Sequence, residues 1–369
     1  MTPFALRDLD ALLTKSRAVI TGLQEPGGAY PASPSFSAYR GYCWFRDGSF
    51  IADGVSAAGD ADSASAFFDW CSHVLHRHED WIGEIVAAAA AGTPVPDARM
   101  LPTRFTFDGD PGHDEWWDFQ LDGYGTWLWA VVAHAHRHGL DVGRWRRAAE
   151  LTVDYLLCSW HRPCYDWWEE HASERHVSTL GCVAAGLTAA AESGLVVGDR
   201  AERARAARAE IDGLIAASGT VGGRLTKWLG SHAVDGSLSA LVAPLGYLDA
   251  DSPVARATVE AVERELCVEG GVHRFLDDTF YGGGRWPLLT CFLGLAQLAT
   301  GDRAAAERSL AWSASAATDE GLLPEQVDGR LLDPTYRQEW LERWGPVATP
   351  LLWSHAMLLR LAAALEENP

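Results

Sequence analysis

Apolar residues along this chain recur three and four positions apart far more often than every second position, so helices are predicted throughout and convincing strands are scarce. About twelve segments carry this spacing, near 3–23, 46–59, 61–79, 119–138, 142–159, 176–193, 199–218, 237–247, 252–268, 285–299, 303–319 and 348–366. Gly54, Gly59, Gly139, Gly194, Gly301 and Gly321 fall near segment ends or breaks, and Asp or Ser often opens the next run. The segments alternate in character. The stretch 199–218 is rich in Arg and Glu and reads as an outer, solvated helix, whereas 286–298 is apolar all round and needs burial on every side. Alternation of wet and dry over twelve helices predicts an all-α fold, two concentric rings forming an (α/α)6 barrel. No low-complexity linker or composition break divides the chain, so one domain over 1–369 is expected.

Between each outer helix and the next inner one lies a long polar or aromatic loop: 24–45, 98–118, 160–175, 219–236, 269–284 and 320–347. Loops at one repeated position gather at one mouth of such a barrel, where a rigid scaffold holds functional side chains. The densest chemistry is Cys164-Tyr165-Asp166-Trp167-Trp168-Glu169-Glu170-His171, with Arg175-His176 close behind. An indole wall desolvates a carboxyl and raises its pKa, which suits Glu169 or Glu170 to stay protonated near neutrality as a general acid. The last loop holds Leu323-Pro324-Glu325-Gln326, a single carboxylate in a Pro-bounded segment. An acid in an aromatic pocket plus a second, separately held carboxylate is what glycoside hydrolysis requires.

The remaining motifs are weaker one by one. In Trp44-Phe45-Arg46-Asp47 the charged pair suits two neighbouring sugar hydroxyls, Asp accepting and Arg donating; a capping Asp with an Arg salt bridge is the alternative. In Trp116-Trp117-Asp118-Phe119-Gln120-Leu121-Asp122, Asp118 suits an N-cap. Gln120 and Asp122 enter a buried helix, which points to a bound partner or to internal hydrogen bonding. The glycines at 282–284, within Arg274 to Pro287, lack the flanking strand and Lys-Ser/Thr of a phosphate loop and instead suit a tight turn or a close backbone approach. Trp353-Ser354-His355 brings another indole to the mouth. His73/His76/His78 and His134/His136/His138 look metal-like but lack an HExxH pair with a third ligand, and no Gly-x-Ser-x-Gly elbow occurs, so neither a metal site nor a serine hydrolase is expected.

Composition narrows the partners. A net charge of -20 repels phosphate backbones and anionic membranes, leaving a neutral or cationic small ligand, and no cofactor is expected. The 17 Trp offer flat faces for stacking on sugar rings, although most are expected in the core. Seven cysteines without a CxxC pair read as reduced, mostly buried thiols. With no basic leader followed by an apolar run and no stretch of 18 uncharged apolar residues, a cytoplasmic protein, favoured as a monomer, is expected.

With these motifs in register, the chain resembles glycoside hydrolase family 15, the glucoamylase-like inverting α-glucosidases. The resemblance runs in the family's order through Tyr42 to Asp47, Trp116 to Gly123, Trp168-Glu169-Glu170, Arg274 to Pro287, Pro324-Glu325-Gln326 and Trp353-Ser354-His355. It implies Glu169 as general acid and Glu325 as general base on the opposite face of the sugar, with carboxyls about 6.5–9.5 Å apart. Arg46, Asp47 and Arg274 would hold the terminal glucose and Glu170 would reach the leaving sugar. Gln120 and Asp122 would also bind substrate, and Trp44, Trp116, Trp168 and Trp353 would form the walls.

The chain departs from the family pattern in places. Neither a preceding β-sandwich nor a starch-binding module is expected. Tyr39 stands five residues before Trp44 rather than four, with a one-residue insertion assumed, and is expected to assist the base. Phe280 stands where a Tyr is usual, which leaves Tyr39 freer to position or deprotonate the attacking water. A compact member of this kind is expected to cleave the α-1,6 bond of isomaltose, with trehalase, glucoamylase or glucodextranase activity as rivals. From another class, a sugar isomerase or epimerase on the same barrel would use His176, His273 or His355 for proton transfer; a catalytically dead sugar-binding protein is the third reading.

Overall fold

Six buried helices close on one another in a ring, and an outer layer covers them. The computed structural model describes residues 6–367. In chain order its helices are α1 (Leu6–Leu23), α2 (Phe45–Ala57), α3 (Ala61–Arg77), α4 (Glu79–Ala90), α5 (Asp122–His138), α6 (Arg146–Ser159) and α7 (Val177–Glu192). They continue as α8 (Asp199–Ser218), α9 (Leu238–Val242), α10 (Pro253–Leu266), α11 (Pro287–Ala299), α12 (Arg303–Ser315), α13 (Arg337–Trp344) and α14 (Leu352–Glu367). The inner ring runs α2–α5–α7–α9–α11–α14 and closes where α14 meets α2. Outside it, α1 packs on α14, α3 on α2, α8 on α7, α10 on α9 and α12 on α11, while α6 bridges α3 and α8. The architecture is an (α/α)6 barrel.

Sequence dictates which ring a helix joins. On α8 only Ala201, Ala204, Ala207, Ile211 and Ile215 are buried, a single stripe of an otherwise charged helix. On α11 every residue from Pro287 to Gln297 is buried, because neighbours enclose it on all sides. Inner helices approach closely where side chains vanish: a Cβ on Gly186 of α7 would lie 2.2 Å from the Gly125 carbonyl oxygen of α5. Short antiparallel strands pin the loops above the ring, with Tyr42–Trp44 pairing Arg104–Thr106, and Gly271–His273 lying between Cys267–Val268 and Arg285–Trp286.

The structure departs from the predicted elements in several places. Residues 3–5 of the first predicted helix lie outside the described residues. The segment predicted as helical over 237–247 holds only the five residues of α9, because Pro244 lacks an N–H and turns Ala243 to an extended φ of -148°. Asp118 caps nothing: α5 begins at Asp122, and the residue at its cap position is Leu121, with no side-chain cap. The helix at 142–159 opens with a 3-10 turn at Val142–Trp145. Two helices were missed, α4 and α13. The second is formed within the long loop 320–347 where Trp340 and Trp344, four residues apart, share one face.

Every long loop delivers the chain to the N-terminus of an inner helix, so the motif residues converge at one end of the ring. Beneath them the barrel axis is filled by aromatic rings. Phe50 stacks on Trp353 with centroids 5.4 Å apart and also packs on Trp167 and Phe292.

Candidate active site

At this mouth lies a cavity of about 320 Å3 lined by Tyr39, Trp44, Arg46, Asp47, Trp116, Trp168, Glu169, Glu170, Arg274, Glu325 and Trp353, with Trp117, Trp167, Thr279, Phe280, Trp286, Trp340 and Trp344 completing its walls. Nine of the 17 Trp face this cavity, and five of these, Trp44, Trp167, Trp168, Trp286 and Trp353, belong at the same time to the buried core.

The segment carrying Glu169 is a tight turn just before α7. Asp166 Oδ1 accepts from the backbone N–H of Trp168 and of Glu170, each at 2.9 Å, so the two amides flanking Glu169 share one carboxylate oxygen. Glu169 is held at φ 64° and His171 at φ 53°, left-handed conformations that cost a non-glycine residue about 1 kcal/mol each. Strain of this kind persists only where surrounding contacts over-determine the chain. The Glu169 side chain accepts at Oε1 from Trp44 Nε1 at 2.9 Å and Gln120 Nε2 at 3.2 Å. Burial raises the neighbouring Glu170, against the pull of Arg274, whose guanidinium donates to it at 3.1 Å.

Glu325 is fixed from the other side of the barrel. Its N–H donates to Ala348 O at 2.9 Å, and Ser354 Oγ donates to Pro324 O at 2.8 Å. His355 Nε2 accepts from Leu323 N at 2.9 Å, which leaves Nδ1 to donate to Ser16 Oγ. Gln326 ties this segment to the glycine turn, accepting from Gly284 N at 2.7 Å. A Cβ on Gly284 would meet that amide oxygen at 2.4 Å, so this glycine's close approach is to protein. The Tyr39 hydroxyl donates to Glu325 Oε1 at 2.8 Å, while Oε2 has no partner. Tyr39 packs edge-on against Trp44 at 5.4 Å, so one aromatic pair links the two carboxylates. Burial lifts Glu325 to about 8, although the Tyr39 hydroxyl and Arg274 draw it down. Burial, then the carboxylates of Glu325 and Glu169, hold the Tyr39 phenol well above its ordinary range. It stays protonated and acts as a donor.

Arg46 and Asp47 begin α2. Arg46 donates to Gln120 Oε1 at 2.6 Å and to Asp122 Oδ1 at 3.0 Å, and Asp47 lies 3.4 Å from its Nε. Burial raises Asp47 to about 7, opposed by Arg46 and reinforced by Glu169 and Asp122. Arg46 Nε and Asp47 Oδ2 are buried without hydrogen-bond partners, as is Glu325 Oε2. Buried polar atoms left without hydrogen bonds are a cost that sugar hydroxyls would relieve. Arg274 lies among the rings of Trp168, Phe280 and Trp286 at 5.1–5.5 Å and pairs with Asp278.

A family model of glycosyl hydrolases family 15 matches residues 7–318. The chain belongs to glycosyl hydrolases family 15. It is 54% identical to the isomaltose glucohydrolase of Kribbella flavida over 98% of this chain and 94% of that protein. A solved wild-type glycosidase superposes with TM-score 0.96 at 53% identity, covering 99% of this chain and 98% of that one. A variant of equal likeness, with one glutamate replaced by alanine, was solved in complex with glucose. A bacterial glucoamylase solved with acarbose shares the fold at TM-score 0.73 and 21% identity, over 98% of this chain and 56% of that one. This chain is a glycoside hydrolase.

Of the candidate site residues, Gln120 and Asp122 stand back from the cavity, buried behind Arg46, which they orient. The three histidines considered for proton transfer also lie outside its lining. His176 Nε2 donates to His171 O at 3.0 Å and His273 Nδ1 to Gly283 O at 2.9 Å. Burial depresses both, and takes His355 down to about 3. His134 bonds Ser56 and Ser65 and His78 meets Gly109 O, and no group of three or more potential metal ligands occurs among the described residues. All seven cysteines are free, and no described helix is long and apolar enough to cross a membrane. Sequence reasoning missed the wall supplied by Trp340 and Trp344; their spacing of four on an Arg/Glu-rich stretch was the available signal.

Proposed function

We propose that this enzyme hydrolyses the α-1,6 bond of isomaltose with inversion, releasing β-glucose from the non-reducing end. The observation that carries the reading is the placement of Glu169 and Glu325 on one small cavity, each held by its own segment and joined through Trp44 and Tyr39. Glu169 gives its proton to the glycosidic oxygen as the bond to C1 breaks. Glu325 takes a proton from the water that attacks C1 from the opposite face, and Tyr39 orients Glu325 by donating to Oε1. Arg46 and Asp47 present Nε and Oδ2, an ion pair at 3.4 Å without a hydrogen bond, to hydroxyls of the terminal glucose, with Arg274 and Glu170 farther along the cavity.

A volume of about 320 Å3 enclosed by Trp116, Trp117, Trp340 and Trp344 suits a short saccharide better than a polymer. The Kribbella flavida relative's name supports isomaltose in particular. Anomer-resolved proton NMR of isomaltose, maltose and trehalose digests tests the reading. β-Glucose should appear first and fastest from isomaltose, and both Glu169→Gln and Glu325→Ala should lose on the order of 10²–10⁴ in rate. Initial α-glucose would overturn the acid–base pairing.

A further inference from the structure

Beneath the Glu169 segment lies a buried charged group that the reaction above does not use. Lys227, Asp166 and Asp235 are each 2% exposed. Lys227 Nζ donates to Asp166 Oδ2 at 3.1 Å and to Asp235 Oδ2 at 2.5 Å, and sits 3.7 Å from the centroid of Phe275. Taking three charges out of water is costly, and apolar residues of the same volume often stabilise a core at least as well. Stability alone therefore does not account for the triad, and its outward contacts give it a task.

Both carboxylates reach the turn around Glu169. Asp166 uses its other oxygen to hold the Trp168 and Glu170 amides on either side of Glu169. Asp235 accepts the Trp168 indole N–H at 2.9 Å and is braced by Ser237, whose N–H and hydroxyl donate to Oδ1 at 2.9 and 2.6 Å. Lys227 thus joins the carboxylate that shapes the backbone of the turn to the carboxylate that fixes its aromatic side chain. Its ammonium and His176 bring Asp166 below its ordinary range despite burial, which keeps Asp166 ionised and able to accept both amides.

We infer that Lys227, bridging Asp166 and Asp235, is a positioning residue that holds Glu169 in its left-handed conformation so that its carboxyl is aimed for proton donation. Without the ammonium the two carboxylates repel, the turn relaxes toward negative φ, and Glu169 leaves Trp44 and Gln120. The inference rests on the reading of Glu169 as the general acid.

The test compares two leaving groups. The sugar leaving from isomaltose needs a proton from Glu169. The fluoride of α-D-glucosyl fluoride departs as an anion when its bond to C1 breaks, needing no proton, while Glu325 still takes one from the attacking water. In Lys227→Met, kcat on isomaltose should fall on the order of 10²-fold, as expected for a misplaced catalytic group, and hydrolysis of the fluoride should be little changed. Lys227→Arg should restore part of the isomaltose activity. Asp235→Asn, which keeps an acceptor for Ser237 and Trp168, should show the same split in smaller degree.

Thermal melts separate folded variants from unfolded ones. If Lys227→Met does not fold, the split must appear in the other two. Folded variants that lose both substrates equally, or neither, overturn the inference. A wild-type enzyme inactive on isomaltose and on the fluoride would count against the glucosidase reading instead.

Discussion

In the Tyr39–Glu325 pair, burial raises the ionisation of the carboxyl and one hydrogen bond draws it part of the way back. Glu325 must be ionised to act as base, and burial places its ionisation at about 8. Activity measured as kcat/KM is therefore expected to fall as pH drops through that value. The Tyr39 hydroxyl stabilises the ionised form, so Tyr39→Phe should move the acid limb to still higher pH and lower activity at pH 7. A pH–rate profile checks this, and an unmoved limb would mean that the bond carries no share of the ionisation. Arg46 makes a similar point about position. Its partners Gln120 and Asp122 lie behind the wall. Asp122→Asn should therefore raise KM in steady-state kinetics by loosening the guanidinium, although Asp122 itself does not reach the cavity.

Among the elements, α13 and the α5–α7 contact lead to different expectations. Trp344 stacks on Trp116 with centroids 6.2 Å apart, and Trp340 packs edge-on to Phe280 at 5.0 Å, so α13 forms a wall of the cavity rather than part of either ring. Trp344→Ala should raise KM for isomaltose by about fivefold, in line with an aromatic contact worth about 1 kcal/mol. Steady-state kinetics on isomaltose and isomaltotriose should also show the longer substrate gaining relative to the shorter. The α5–α7 contact is a matter of stability. Gly186→Ala would drive a methyl against the Gly125 carbonyl, so the helices must part at a cost of about 1–3 kcal/mol. A Tm unchanged by that substitution would contradict the contact.

Over the whole molecule, burying carboxylates at the mouth exchanges stability for reactivity. Asp47 and Glu325 keep protons up to about 7 and 8 in the folded chain, against roughly 4 in an unfolded one. Both shifts are upward, so the folded chain binds more protons between those limits. The associated stability is complete below about pH 4 and is lost as pH rises through 8. Thermal melts from pH 5 to 9 should therefore decline less steeply in Glu325→Gln than in the parent; equal slopes would remove Glu325 from the account.

Twelve alternating helices and the order of the motifs were legible in the amino-acid sequence. A helix solvated on one side and a helix buried all round carry different patterns, as α8 and α11 illustrate, and such patterns are local. The motif residues were legible because each lies in a loop feeding an inner helix or in that helix's first turn. The lengths of α9 and α13 were less legible, the one cut short at Pro244 and the other closing a wall through Trp340 and Trp344. Which groups share a hydrogen bond at the mouth depends on the folded arrangement. Glu169 meets Trp44 across 125 positions and Glu325 meets Tyr39 across 286. The indole beside Glu170 suggested desolvation there, and burial does raise Glu170, yet enclosure by the whole mouth raises Glu325 and Asp47 as well. Desolvation depends on everything that surrounds a group in space, and adjacency in sequence supplies only a small part of that shell.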